Sequence, residues 1–130
     1  MSDFSDSLSV STSGLKAQAT RLRHLSENIA NADTPGYRRK TVPFEQAFGA
    51  EGAGGEVRTG LVSLDRSELE RIHDPAHPLA DDSGHYEGSN VDLVIEIADA
   101  REAQRSYEAN LKLFDQARQM SSALMDLLRR

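Results

Sequence analysis

The chain has 130 residues, of which 38% are hydrophobic and only 5% aromatic, and it contains neither tryptophan nor cysteine. That length allows one domain at most, and the lack of cysteine excludes disulfides and thiol chemistry. The formal net charge is −6, so the broad basic face that binds nucleic acid is not expected.

The first predicted element is a long amphipathic helix over about residues 3–31. Its seam advances in alternating steps of four and three residues, and six of the eight seam positions are apolar, as in a coiled coil. The seam reads Phe4, Leu8, Ser11, Leu15, Gln18, Leu22, Leu25 and Ile29. Ser11 and Gln18 either fix the register of a partner or face solvent, and the pattern leaves both readings open.

The run from Asn28 to Tyr37 predicts the end of this helix and a tight turn. Asn31 tolerates a left-handed conformation, and Pro35-Gly36 suits the turn itself. The proline also pushes Thr34 toward extended geometry. The chain should therefore leave the helix abruptly here.

Three consecutive basic residues, Arg38, Arg39 and Lys40, follow the turn. A short charge run of this kind is usually a solvated surface. The alternative is an electrostatic contact with an acidic surface on a neighbouring subunit. Residues 41–90 are the candidate for that surface, because they hold three basic and ten acidic side chains.

Residues 41–90 read as a polar insert with little regular structure. Phe44 and Phe48 could pack on the helices, whereas the glycines of 49–55 predict a flexible loop. Residues 57–64 predict one or two short strands, which can form at most a hairpin or a small sheet. Turn-forming residues dominate 73–90, with a tight turn at 81–84.

A second long helix is predicted from near Asp92 to Leu128, with Asn90 or Asp92 as its cap. Its seam runs through Ile97, Ala100, Gln104, Tyr107, Leu111, Phe114, Ala117, Met120, Leu124 and Leu127. At 1.5 Å per residue the two helices would be roughly 43 and 55 Å long, so they can lie antiparallel over most of the shorter one.

These elements predict a mainly α fold. The N- and C-terminal helices, residues 1–40 and 91–130, pair as an antiparallel coiled-coil-like domain, and residues 41–90 form a loop-rich insert with a short β-hairpin. Apolar seams of this kind are expected to be shared between contacts within the chain and contacts between copies. The predicted packing residues are Leu15, Leu22, Leu25, Ile29, Tyr107, Leu111, Phe114, Leu124 and Leu127.

The segment Ser26 to Arg38, with the reading SENIANADTPGYR, resembles the N-terminal signature of the bacterial flagellar axial proteins, which form rod and hook. Residues 103–110 are similar to the C-terminal signature of that group, in which a Ser-Tyr pair precedes an Asn. Residues 73–91 resemble the pattern of the FlgC-type proximal rod proteins, which are one branch of the family. The residues that carry the match to the FlgC type are Asp74, Pro75, His77, Pro78, Ala80, Asp81, Gly84, Asn90 and Val91.

The resemblance implies a structural subunit of the flagellar basal-body rod in the periplasm, which packs with copies of itself and with other rod proteins to transmit torque. It also implies a place near the inner-membrane ring and the export apparatus, and export without a cleaved signal peptide. The residues that it implies for shaping the turn are Asn28, Asn31, Asp33, Pro35, Gly36 and Tyr37. Asn28 and Asn31 would cap helix carbonyls or bridge subunits.

Two functions of other classes compete with this interpretation. Balanced helical seams also suit a soluble helical adaptor or a secretion chaperone. The spacing of His73, His77, Asp81 and His85 is that of metal ligands on one helix face, but Pro75 and Pro78 rule out a continuous helix there. No metal site is therefore predicted. The sequence also predicts no cofactor, no nucleic-acid partner, no membrane insertion and no enzymatic activity.

Overall fold

A computed structural model describes residues 2–47 and 54–130. It contains two long helices, α1 (Ser2–Ala30) and α2 (Leu93–Leu128), of 29 and 36 residues. Between them lie short strands, namely β1 (Lys40–Thr41), β2 (Phe44–Gln46), β3 (Val57–Thr59), β4 (Ser63–Leu64), β5 (Arg71–His73) and β6 (His85–Glu87). The prediction of a mainly α fold with long terminal helices is confirmed.

The two helices pack against each other in antiparallel orientation, as predicted. Asn28, near the end of α1, contacts Glu96 in the first turn of α2. Midway along α1, a Cβ on Gly14 would stand 2.9 Å from Asn110 Nδ2. Farther toward the start of α1, Phe4 shares a groove with Met120. Since α1 starts opposite this region, the last two turns of α2 extend past it.

The core between the helices is thin and contains an unusual share of polar groups. Its buried apolar residues are Ala17, Leu25 and Ala103, all within 5% of full burial. Asn28 and Glu96 are fully buried in the same layer. Small residues let the helices approach closely, but they bury little apolar area, so hydrogen bonds and ion pairs must fix the arrangement.

The first half of the insert forms one long, bent hairpin in which residues 40–46 pair with residues 57–64. Phe44 lies opposite Thr59 and Thr41 opposite Ser63, so two residues on one side face three on the other, as in a β-bulge. The two short strands predicted within 57–64 are therefore confirmed. They pair with β2 and β1 and not with each other.

Two expectations for the hairpin have different outcomes. Phe44 does not pack on the helices as expected, since its position in β2 leaves it 41% exposed. Phe48 and most of the predicted glycine loop at 49–55, namely residues 49–53, lie outside the described residues.

The second half of the insert forms another hairpin, β5–β6, where the sequence predicted a loop only. Ile72 pairs with Tyr86, and the connection contains the predicted turn, closed by a hydrogen bond from Gly84 N to Asp81 O of 2.9 Å. Gly84 has φ +79°, which favours glycine. The strands were missed because each has only three residues.

The start of α2 is capped by one of the two predicted residues. The Asp92 carboxylate accepts hydrogen bonds from Val94 N at 3.0 Å and Ile95 N at 3.4 Å. Asn90 does not cap the helix, because its side chain forms hydrogen bonds with Arg39 N and Asp65 O instead. Among the described residues, neither helix is both long and apolar enough to cross a bilayer.

Candidate functional site

The end of α1, the turn that follows it and the start of α2 meet in a polar cluster, which we call the junction. Its residues are Asn28, Tyr37, Arg39, Lys40 and Glu96. It lies where the two signature-bearing halves of the sequence come into contact, and it contains the two largest side chains that are completely buried.

Asn28 is the centre of the junction, and every hydrogen-bonding capacity of its amide is used. Nδ2 donates to Lys40 O at 2.9 Å and to Glu96 Oε2 at 3.2 Å. Oδ1 accepts from Tyr37 Oη at 2.8 Å and from Lys40 N at 2.9 Å. An amide has two donors and two acceptor positions, so this side chain fits one arrangement of its surroundings.

Glu96 places a carboxylate in the interior, where an unpaired charge is very costly. Its Oε1 accepts from Arg39 Nε, and its Oε2 accepts from Asn28. Arg39 extends the pairing to Asp99 Oδ2 at 3.5 Å, and Arg21 lies 3.9 Å from the other oxygen of Asp99. The buried charge is thus part of a network that ties the turn to both helices.

Burial and charge in the junction perturb its titrating groups. Burial raises the pKa of Tyr37 above its ordinary value, which keeps the hydroxyl protonated as a donor to Asn28. The hydrogen bond between Lys40 Nζ and Glu27 Oε2, 2.9 Å long, lowers the pKa of Glu27 and raises the pKa of Lys40. Both members of that pair are therefore charged at neutral pH.

The turn after α1 is held from outside by the strand that leads to α2. Gly36, with φ +75°, donates from its backbone N to Gly88 O at 3.0 Å and to Glu87 O at 3.3 Å. Ser89 Oγ donates to Ala32 O. The left-handed residue is Gly36 and not Asn31, which closes the helix by donating from Nδ2 to Glu27 O at 2.8 Å.

Asn90 joins the insert to the same region. Its Oδ1 accepts from Arg39 N at 2.6 Å, and its Nδ2 donates to Asp65 O at 3.0 Å. Arg38 Nη1 donates to the carbonyls of Asp65 and Ser67 at 3.1 and 3.0 Å. The Ser67 backbone N–H lowers the pKa of the Asp65 carboxyl, which fixes this bend as a charged Asx-type turn.

A small cavity of about 120 Å³ beside the junction is lined by charged side chains together with His24, Leu25, Thr41 and Val42. Asp99 faces both Arg21 and Arg39 there, at 3.9 and 3.5 Å. Groups already paired in this way hold a helix crossing together. His24 lines the same cavity, and its two buried ring nitrogens make no hydrogen bond within the described residues.

The comparisons with known proteins match this geometry. A family model described as flagella basal body rod protein matches residues 8–38, and one described as flagellar basal body rod FlgEFG protein C-terminal matches residues 82–127. The flagellar basal-body rod protein FlgC of Agrobacterium fabrum is 42% identical over 99% of this chain and 98% of its own. The chain belongs to the FlgC-type flagellar basal-body rod proteins.

More distant members of the family are also similar over most of their length. FlgC of Bacillus subtilis is 31% identical over 93% of this chain and 95% of its own. FlgC of Salmonella typhimurium is 32% identical over 85% of this chain and 87% of its own. The two family models fall on α1 with its turn and on β6 with α2, which are the segments joined at the junction. The resemblance inferred from the signatures is confirmed.

The predicted packing residues divide into two groups. Leu25 is buried, and Leu15, Leu22, Ile29, Tyr107 and Phe114 are partly buried. Leu111, Leu124 and Leu127 are exposed, Leu127 by 64%. The role of these residues in assembly stays a prediction. The three exposed leucines are accessible for contacts with neighbouring subunits.

The predicted turn residues also differ in their surroundings. Asn28, Asn31, Gly36 and Tyr37 make the contacts described above, whereas Asp33 and Pro35 are exposed. Each of the basic residues Arg38, Arg39 and Lys40 has partners within the chain. Their predicted contact with a neighbouring subunit stays a prediction, and it would have to form in addition to these bonds.

The histidine loop is a stacked surface structure. His77 stacks on Tyr86 with ring centroids 3.9 Å apart, and the rings of His73 and His85 are 4.7 Å apart. Asp81 accepts from Ser83 Oγ at 2.6 Å and from the N–H groups of Ser83 and His85, and the hydroxyl bond is the main reason that its pKa falls to about 2. Within the described residues, no group of three ligands could hold a metal ion.

The sequence reasoning missed Glu96 as a member of the junction and Asn90 as the residue that joins the insert to it, and it missed the role of Arg39 within the chain. One signal could have revealed Glu96, which is a lone charge inside the apolar run 93–97. A charge at that place requires a buried partner, and Arg39 is bonded to it at a sequence separation of 57. Nothing in the local sequence identifies that partner.

Proposed function

We propose that the chain is a structural subunit of the bacterial flagellar basal-body rod, in the proximal part. It packs with copies of itself and with other rod proteins, and it transmits torque through the periplasm. The observation that carries this proposal is the similarity to FlgC rod proteins over the whole chain, up to 42% identity over 99% of its length.

The geometry supports a mechanical role. The antiparallel helices are locked at one end by the buried junction, in which Asn28 and Glu96 connect α1, the turn and α2. Such fixed, fully satisfied polar contacts resist sliding of one helix along the other, because sliding would leave buried groups without partners. Residues 1–40 and 91–130 would then act as one rigid domain that carries the insert on its side.

The proposal includes the absence of catalysis, export to the rod without a cleaved signal peptide, and a place near the inner-membrane ring and the export apparatus. Paired charges in the small cavity and exposed carboxylates in the histidine loop support a role without chemistry. Nothing in the fold favours the soluble adaptor or secretion chaperone.

Mass spectrometry of hook–basal bodies purified from the source organism tests the proposal. We expect peptides of this chain to be enriched together with the other rod components, and we expect motility to be lost on deletion and restored by the intact gene. If peptides of this chain are absent from intact basal bodies, the proposal is contradicted and a soluble adaptor is favoured. A strain that lacks the chain serves as the control for carry-over.

A further inference from the structure

The start of α1 and the later part of α2 face each other across a groove of about 360 Å³, and Met120 is one of its lining residues. The other apolar residues of the groove are Phe4, Leu113 and Ala117. Met120 is 53% exposed, so its side chain contributes apolar surface to the contact between the helices and is also accessible from solvent. A thioether in such a place can be reached by a small oxidant.

This groove is where the attachment of α1 to α2 is weakest. Among the described residues, every side-chain hydrogen bond or ion pair between the two helices involves Arg21 or Asn28 of α1. Nearer the start of α1, Ser9 and Ser13 form hydrogen bonds with the long hairpin. The attachment of residues 3–8 to α2 therefore depends on the apolar contacts of the groove.

Oxidation of Met120 puts a strongly polar group into this contact. Hydrogen peroxide transfers one oxygen to the thioether sulfur: the O–O bond breaks, an S–O bond forms, and the other oxygen leaves as water with both peroxide protons. The sulfur loses two electrons and becomes a sulfoxide, which is polar and attracts water. Of the polar residues in the groove, Asp3 repels the new oxygen, whereas Ser7, Ser11 and Gln116 can donate a hydrogen bond to it. The contact is therefore loosened and opened to water, while the rest of the fold remains.

We propose that Met120 is an oxidation site that controls the attachment of the first two turns of α1 to α2. In the thioether form the start of α1 packs against α2, and in the sulfoxide form it detaches. Methionine sulfoxide can be reduced enzymatically, so the change is reversible. The inference concerns a contact within one chain, so it goes beyond the proposed function and does not depend on it.

Met125 provides an internal comparison. It is 41% exposed and so is similarly accessible to an oxidant, but it is not among the residues that line the groove. It lies in the last turns of α2, which extend past the start of α1, so its oxidation should leave α1 unchanged. The chain has three methionines and no cysteine. The third methionine, Met1, is common to all variants, and no thiol competes for the oxidant.

The experiment treats the full-length chain and the variants Met120→Leu and Met125→Leu with hydrogen peroxide, and peptide mass spectrometry measures the sulfoxide at each position. Leucine nearly conserves the volume of methionine, so both variants should fold. Hydrogen exchange then follows the backbone amides of residues 6–12, which bond carbonyls one turn earlier in the helix. We expect oxidation to accelerate this exchange several-fold in the native chain and in Met125→Leu, and to leave it unchanged in Met120→Leu.

Two further measurements separate this effect from general damage. Methionine sulfoxide reductases for both epimers should restore the slow exchange, and the amides of residues 98–105, near the junction, should not change at any stage. Met120→Gln, which places a polar side chain of similar length in the groove, should show the fast exchange without peroxide.

Four results would overturn the inference. One is equal acceleration in the two leucine variants, and a second is unchanged exchange in Met125→Leu after Met120 has been fully converted. A third is resistance of Met120 to peroxide under conditions that oxidise Met125. The fourth is rapid exchange of residues 6–12 in the chain before oxidation, because there would then be no packed contact to release.

Discussion

The substitution Arg39→Met removes the one charged partner that contacts Glu96 among the described residues, and the Glu96 side chain has no exposed surface. Loss of one member of a buried ion pair typically costs about 3–5 kcal/mol. The Arg39 side chain is 25% exposed, so water can partly replace it in the variant. We therefore expect Arg39→Met to lower the free energy of unfolding by about 3 kcal/mol. A domain of this size has a free energy of unfolding of about 5–15 kcal/mol, so the loss is a large fraction of it.

Urea unfolding followed by the helical circular dichroism signal measures this effect. Arg38→Met is the matched control, because Arg38 donates only to backbone carbonyls at the edge of the same turn, and we expect it to cost about 1 kcal/mol. The double variant Arg39→Met/Glu96→Gln should recover much of the loss, since it removes the unpaired charge and keeps an acceptor for Asn28.

The double variant gives a second check on the same reasoning, because it removes the charge of residue 96 together with that of residue 39. The reasoning is refuted if Arg39→Met costs no more than Arg38→Met, or if the double variant is as unstable as the single one.

Three further predictions concern other parts of the chain. Gly36→Ala should lower the free energy of unfolding by about 1–2 kcal/mol because φ is +75°, whereas Gly54→Ala, outside that region, should have little effect in the same urea assay. Gly14→Leu should lower the free energy of unfolding by about 1–3 kcal/mol, because even a Cβ at residue 14 would stand 2.9 Å from Asn110 Nδ2. Ala19 lies on an exposed face, so an equal loss in Ala19→Leu would contradict this reasoning. The lowered pKa of Asp81 means that its contribution is fully present above pH about 3.8 and is lost as the pH falls toward about 2. The amide of His85 should therefore shift over that range by NMR in the native chain and not in Asp81→Asn.

The sequence alone predicted those elements whose signals are local and periodic. Both helices follow from apolar residues that recur every three or four positions, and the cap at Asp92 and the turn at 81–84 follow from residue types with known local bonds. Their lengths allow antiparallel pairing over most of the shorter helix. The family follows from the segment 26–38 read together with residues 73–91.

The junction could not be predicted in the same way, because it depends on pairs that are distant in the sequence. Arg38, Arg39 and Lys40 read as one charge run, yet each points to a different partner, namely backbone carbonyls, Glu96 and Glu27. The long hairpin was missed for a related reason. Residues 40–46 contain Pro43 and charged residues, so their strand character comes from pairing with 57–64 and not from their own composition.

The hydrogen bond between Asn28 and Glu96 joins residues 68 positions apart, and this separation has a consequence for folding. Helical proteins usually fold fast because their contacts are local, whereas contacts between distant residues require closure of a long loop first. In this chain the end of α1 acquires its final hydrogen bonds only after residue 96 has arrived. A chain that has been synthesised only in part can form helical turns, but it cannot form the buried hydrogen bonds that hold the two helices together until the second half of the sequence is present.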